Sequence, residues 1–424
     1  MGGVNRVVLD KIVSSCEIFE AWDELPWVNE GAAVKVSLIA FALKEHGLPV
    51  RLNGVPASRI NPDLTTGVDL ATAKPLAENE RCCFYTTVKG GHFECDGATA
   101  RRWLQLPNPN GKSNALVVRR WANGLDIVRR PSDNWLVDFG CDMPEAEAEL
   151  FEAPYRHVQS YVLPERLKSN RESYKKYWWL FAEPVPKMRV AVSSLHRQLV
   201  TVIVAKHRIF TWLDHRVLPD HALAVIARAD DYTFGVLQSR FHKVWSLGLG
   251  TSLEDRPRYT PTTCFETFPF PEGLTPKDTA DQQVEEYNGA LIPKGLSPPH
   301  RTLAGKIAVA ARRLHTIREN WLNPPEWTIV VPEVVPLGMK TSPFPARVVP
   351  HPDIGQDDIK ELQRRTMTNL YNDLPAWLIS AHQALDLAVA EAYGWVSVLE
   401  MVDERLLAML LAENERRSAA IIVG

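Results

Sequence analysis

Val34-Lys35-Val36-Ser37-Leu38-Ile39-Ala40-Phe41 is the clearest strand signal in the chain, apolar, partly alternating and eight residues long. Working outward, Glu17–Trp22 reads as a shorter strand, and Asp23-Glu24-Leu25-Pro26 as a turn between the two. Before them, Gly2-Gly3-Val4-Asn5 runs directly into Arg6–Val13, where Val7, Val8 and Ile12 fall at helical spacing. One helix and two strands cannot close a core. The opening forty or so residues therefore read as the tail of an α/β sheet whose other strands lie elsewhere. The expected edge at Val34–Phe41 favours association.

Toward the C-terminus the character changes. Residues 44–79 are polar and turn-rich, with Asn53-Gly54 predicting a small hairpin and a connector after it. From about Arg81 to Pro271 short strands dominate: Cys82–Val88, Asn134–Phe139, Leu199–Val204, Ile209–Leu213, Leu223–Ala227 and Phe234–Gln238. Helices interrupt them at Gly97–Gln105, with Asp96 as the cap, and at Glu145–Val162. Residues 272–300, rich in Pro, Gly and Gln, read as a surface crossing. Leu303–Trp321 is an amphipathic helix, 324–356 is proline-dense and irregular, and Ile359–Tyr371, Pro375–Tyr393 and Asp403–Arg417 form a helical end. The fold class is α+β, with expected divisions at 1–45, 46–79, 80–275, 276–300 and 301–424.

A chain of 424 residues calls for two or three domains. At 45% hydrophobic and 23% charged it has a soluble globular composition, with no apolar run near the ~20 residues that cross a bilayer. No basic segment followed by an apolar one opens it as a secretory signal, and six sparse cysteines without a Cys-x-x-Cys pair fit a reducing, cytoplasmic setting with no membrane partner. The net charge of −3 is unevenly spread: residues 80–275 hold 26 Lys+Arg against 22 Asp+Glu, a balance of +4, which leaves −7 for the rest. A mildly basic middle is compatible with a polyanion partner and equally with ordinary surface.

Catalytic chemistry is thinly represented. Asn323-Pro324-Pro325-Glu326 has three residues of the Asn/Asp-Pro-Pro-aromatic turn with which amino-methyltransferases hold a flipped base, but Glu326 cannot stack, and the turn follows a helix. A helix-terminating proline pair is the stronger reading. Lys89-Gly90-Gly91 and Gly248-Leu249-Gly250 are the nearest approach to a cofactor loop, and both read as tight turns. His92, His196, His207, His215, His221 and His242 lack metal-ligand spacing. No catalytic, cofactor or metal residue is assigned.

Basic and aromatic residues interleave more tellingly. Arg166–Trp179 supplies Arg166, Lys168, Arg171, Lys175 and Lys176 for phosphates, with Tyr174 and Tyr177 beside them. Arg119-Arg120 and Arg129-Arg130 are further phosphate candidates. Val204–Ile209 places Lys206, His207 and Arg208 at a strand junction from which side chains reach base edges. Each segment alone fits a solvated surface; their concurrence with Trp103, Trp121, Trp135 and Trp179 points to nucleic acid.

Several of these strings resemble one family. Phe19–Trp22 with Trp27–Ser37 is similar to the stretch after the catalytic motif in MmeI-like (type IIL and wider type IIG) adenine-specific DNA methyltransferases. Ile60–Leu64, Gly97–Ala100, Leu106–Gly111, Asn123–Ile127, Val204–Arg208 and Tyr259–Pro269 resemble its target-recognition region, and Leu370–Asn372 and Ala392–Trp395 its helical end. The resemblance implies a protein that takes part in methylating adenine N6 within a short site on double-stranded DNA, with S-adenosylmethionine as donor. It implies that 1–45 is the remnant of a Rossmann-like methyltransferase sheet, 80–275 the target-recognition domain and 301–424 the helical domain. It places base discrimination near Lys206, His207, Arg208 and Ile209. The family's Gly-rich cofactor loop and catalytic motif precede the stretch that matches here. The expectation is therefore that this chain alone binds no cofactor and depends on an N-terminal methyltransferase polypeptide. A non-catalytic DNA-binding decoy, and an interaction module that does not touch DNA, stay open as alternatives.

Overall fold

The structure, a computed structural model, describes residues 3–29, 32–45, 47–62, 64–249, 252–253, 256–279 and 283–420. It divides into two bodies, 1–73 with 402–415, and 74–401 with 416–424.

In the first body, helix Gly3–Ser15 leads into a long antiparallel hairpin of strands Cys16–Asn29 and Ala32–Leu43. The expected Asp23–Pro26 turn is no turn. The strand runs through it, and the register slips between Ile18 and Glu20 and again between Trp22 and Leu25. Bulges of this kind absorb a proline and a charge run by twisting the strand rather than ending it. The Asn53-Gly54 hairpin forms as its residues require, with both φ values positive (52° and 78°), joining Arg51–Leu52 to Val55–Pro56. The strand order places Ala32–Leu43 at an edge, and the only parallel pairing among the described strands of this sheet is Glu20–Ala21 with Arg51–Leu52. Leu9, Ile18, Ala21, Ile60 and Leu64 form a small core.

The second body is α+β. One four-stranded sheet runs Phe210–Asp214, Arg197–Val202, Leu223–Ile226, Cys83–Tyr85, antiparallel throughout. A second runs Val217–Pro219, Val118–Ala122, Asn134–Val137, Glu94–Asp96. Asp96 caps helix Gly97–Leu104 by accepting from the Thr99 amide at 2.8 Å. Expected helix Glu145–Val162 is broken into Glu145–Ala148 and Glu152–Tyr161. Pro154 accounts for the break, since its ring clashes with the carbonyl four residues back and it has no amide to donate.

Phe234–Gln238, expected as a strand, is the end of helix Asp231–Gln238, all eight residues of which are buried. Asp230 caps it through the Thr233 amide and hydroxyl, at 2.6 and 3.1 Å. The helix packs on the 25-residue helix Pro298–Leu322. The expected crossing at 272–300 contains a hairpin, Val284–Tyr287 with Ala290–Pro293, whose Ala290 and Ile292 are fully buried. The proline-dense stretch contains another, Thr328–Val331 with Arg347–Pro350. Helices Gln356–Arg364, Met367–Asp373 and Ala376–Tyr393 follow. Among the described residues no helix is long and apolar enough to cross a membrane.

Candidate nucleic-acid interface

Strand Arg197–Val202 turns back into Phe210–Asp214 through residues 203–209, and this turn floors a cleft of about 260 Å3. Lys206, His207, Arg208, Gln238, Arg240 and Lys243 line one side; Tyr371, His382, Gln383 and Asp386, from the helices beginning at Met367 and Ala376, line the other. Lys206, Arg208, Arg240 and Lys243 thus share the lining with a single carboxylate, Asp386, which accepts from the Arg240 amide at 2.7 Å, while the Arg240 guanidinium donates to Val398 O at 2.9 Å and to Met401 O. The cleft presents positive charge to whatever enters it.

The turn's residues divide by depth. Lys206 is exposed and His207 half-buried, and both reach Asn372 Oδ1 at 2.8 Å. Arg208 and Ile209 are 4% and 5% exposed. The Arg208 guanidinium donates to Thr201 Oγ1 (3.1 Å), Val202 O and Pro257 O (3.1 Å) and lies over the Tyr259 ring. A guanidinium so engaged is a structural fastening for the turn and has no free donor fork to offer a base, and Ile209 is core. Burial lowers the Arg208 pKa and holds His242, beside it, neutral with a pKa of about 3.

Beneath the cleft a second fastening converges on Arg318, which has no exposed surface. Its Nη2 donates to Phe210 O at 2.7 Å, and its Nη1 to Gln238 Oε1 (3.0 Å) and Tyr371 OH (3.1 Å). Gln238 Oε1 also accepts from the Phe210 amide at 2.8 Å, and Tyr371 OH meets His382 Nε2 at 2.9 Å. Burial first, then Arg318 and Lys243, push the His382 pKa down to about 3. Strand, buried helix and C-terminal helices are held to one another by this network.

The expected phosphate candidates also separate. Lys168, Arg171, Lys176 and Arg129 are exposed, and Lys175 is half-buried, with Lys168 and Lys175 paired to Glu165 and Glu172 three residues back. Arg166 is 2% exposed, and its Nη2 donates to Lys89 O and Leu180 O. Arg120 is buried against Glu333, Arg119 lies 3.9 Å from buried Asp138, and Arg130 donates to Leu322 O. Arg166 and Arg120 face inward on carbonyl and carboxylate partners and as placed offer no phosphate-binding surface, whereas Arg119 and Arg130 are half-buried and keep part of their surface exposed.

Gly90, at φ 67°, lies where a Cβ would come within 2.8 Å of Ala182 Cβ, so Lys89-Gly90-Gly91 is a close-packing turn. Gly248 is inside helix Arg240–Leu249, and Gly250 lies outside the described residues. Asn323 ends helix Pro298–Leu322, its amide donating to Glu319 O at 2.7 Å. Among the described residues there is no cluster of three His, Cys, Asp or Glu that could hold a metal ion.

Arg240, Lys243, Asn372 and Gln383 are residues whose place at the cleft the sequence reading missed. Asn372 stands 166 residues from Lys206, beyond any spacing argument.

The geometry is thus a cleft floored by the turn between two antiparallel strands, on an α+β body with a helical end. Residues 162–272, which contain that turn, match the family described as MmeI, target recognition domain. Among solved structures the chain is similar to the type IIL restriction–modification enzyme MmeI, solved in complex with DNA. The TM-score is 0.65 at 18% identity, over 99% of this chain and 48% of that one. Among curated proteins it is similar to DNA methyltransferase A of Bacillus subtilis (strain 168), with 30% identity over 21% of this chain and 12% of that protein. The chain thus spans about half the length of the solved relative and a small part of the curated one.

Proposed function

We propose that this chain is the sequence-recognition part of a site-specific adenine-N6 DNA methyltransferase of a restriction–modification system. The observation that carries the reading is the position of the turn at 203–209. It lies inside the 162–272 match and presents Lys206 and His207 to a cleft with Lys243 and Arg240 on its walls. The solved relative's complex with DNA supports duplex DNA as the partner. On this reading the hairpin body is the end of a Rossmann-like methyltransferase sheet, continued by strands of the methyltransferase polypeptide. On the same reading that polypeptide supplies S-adenosylmethionine binding and the catalytic turn, with Asn323-Pro324-Pro325 here a helix stop and Gly90-Gly91 a packing turn.

The test is a gel shift of the full chain on duplex DNA at rising salt. Phosphate contacts release counterions, so affinity should fall linearly in log–log form, by roughly 0.9 per phosphate neutralised. Affinity that ignores salt, or no retention of duplex at all, would remove DNA from the function and leave a protein-interaction module.

A further inference from the structure

Lys206 Nζ and His207 Nε2 both point at one atom, Oδ1 of Asn372, each at 2.8 Å. An ammonium group only donates, so the Asn372 atom facing it must be the carbonyl oxygen. The amide orientation follows from chemistry: Oδ1 is occupied by two donors, and Nδ2 is the end left over. His207 must carry its proton on Nε2 to make its bond. Lys206 keeps two further N–H donors and Asn372 Nδ2 adds two more, both on exposed side chains. The pair therefore offers donors side by side and no acceptor.

We infer that Lys206 and Asn372 together read a guanine in the major groove, and that Asn372 is a specificity-determining residue contributed from outside the 162–272 domain. Guanine is the base that presents two adjacent major-groove acceptors, N7 and O6. Adenine offers N7 beside the N6 donor, cytosine offers a donor, and thymine offers a single O4 beside a methyl group. A donor-only pair meets guanine without conflict and meets adenine or cytosine donor to donor. Arg208, the guanidinium nearest in sequence, is already committed to Thr201, Val202 and Pro257, which leaves the Lys206 ammonium as the turn's exposed cation. The inference rests on the DNA-recognition reading of the same cleft.

The full chain is used to select sites from a randomised duplex pool, and the recovered site is then measured by gel shift. The expected site holds a G·C pair at which 7-deazaguanine, lacking the N7 acceptor, weakens binding about tenfold or more. Asn372→Asp, which replaces the donor by an acceptor and ties up Lys206, should abolish the preference for guanine there. Asn372→Ala should reduce it, with the salt slope of both variants unchanged. A guanine preference that survives both substitutions overturns the inference, as does a site at which no guanine N7 matters; in either case DNA recognition itself stands. Failure of the unaltered chain to bind any duplex overturns the reading and the inference together.

Discussion

Replacing Arg208 by alanine removes three hydrogen bonds from a side chain that is 4% exposed and leaves Val202 O and Pro257 O without that donor. Losing one partner of a buried charged cluster costs far more than losing a surface contact. The expected outcome is a loss of folding stability on the order of 3 kcal/mol, seen as a lower urea midpoint. Lysine should not restore it, because one ammonium cannot reproduce a planar fork. Unchanged stability with relaxed site preference would return Arg208 to base readout. The buried histidines make a second prediction at this scale. His242, His315 and His382 are held neutral with pKa values of about 3, chiefly by burial, with Arg208 acting on the first and Arg318 on the other two. Their folded pKa lies below the unfolded value of about 6.5, so below that pH the unfolded chain binds more protons than the folded one. Their contribution is complete above pH 6.5 and is lost as pH falls toward 3, each group steepening the decline by up to about 1.4 kcal/mol per pH unit. Urea midpoints from pH 7 to pH 4.5 test this. His382→Gln, which keeps a polar partner near Tyr371 OH, should flatten the curve.

At the scale of elements, Gly235→Ala is the informative substitution. In a free helix alanine is favoured over glycine by roughly 1 kcal/mol. Here the added Cβ would sit 2.6 Å from Ile307 Cγ2 and 3.0 Å from Ala311 Cβ, so helix Asp231–Gln238 must move off helix Pro298–Leu322. Overpacking should win, with a net loss of about 1–3 kcal/mol in urea denaturation. A stabilised variant would show that the two helices separate easily. The same helix explains what was legible in the sequence. Half-buried elements announce themselves by period, so Val34–Phe41 and Pro298–Leu322 were readable in type, while fully buried Leu223–Ile226 was readable only as a short apolar run. Asp231–Gln238 is buried on every side and has no period to read, so Phe234–Gln238 resembled a strand; the overlooked signal was Asp230 with Thr233, a capping pair. At the cleft, the basic turn was legible because its residues are contiguous. The division between exposed Lys206 and buried Arg208 was not, because it depends on Pro257 and Tyr259 returning over the turn. Asn372 was read only as part of a family string, since nothing local to it specifies a partner 166 residues away.

For the whole molecule, two measurements separate recognition from chemistry. Lys175→Ala with Lys176→Ala alters an exposed stretch whose only near ion pair among the described residues is Lys175 with Glu172. If that stretch follows the backbone, the double variant should weaken binding to all duplexes alike and lower the salt slope by up to about 1.8, two phosphates' worth. An unchanged slope assigns both lysines to plain surface. Methyl transfer is the other measurement. The described residues offer a helix stop at Asn323 and a packing turn at Gly90, and neither geometry cradles a nucleoside or a flipped base. The sheet edge along Ala32–Leu43 is long enough to accept further strands, which is how an added methyltransferase polypeptide would continue it. Incubated with labelled S-adenosylmethionine and duplex DNA, the chain alone should transfer no label. Adding a polypeptide that carries the cofactor loop and an Asn-Pro-Pro-aromatic turn should start transfer, at adenines within the site this chain selects. Label transferred by the chain alone would mean that these 424 residues contain a cofactor site of a different construction, and would move the division of labour inside the chain.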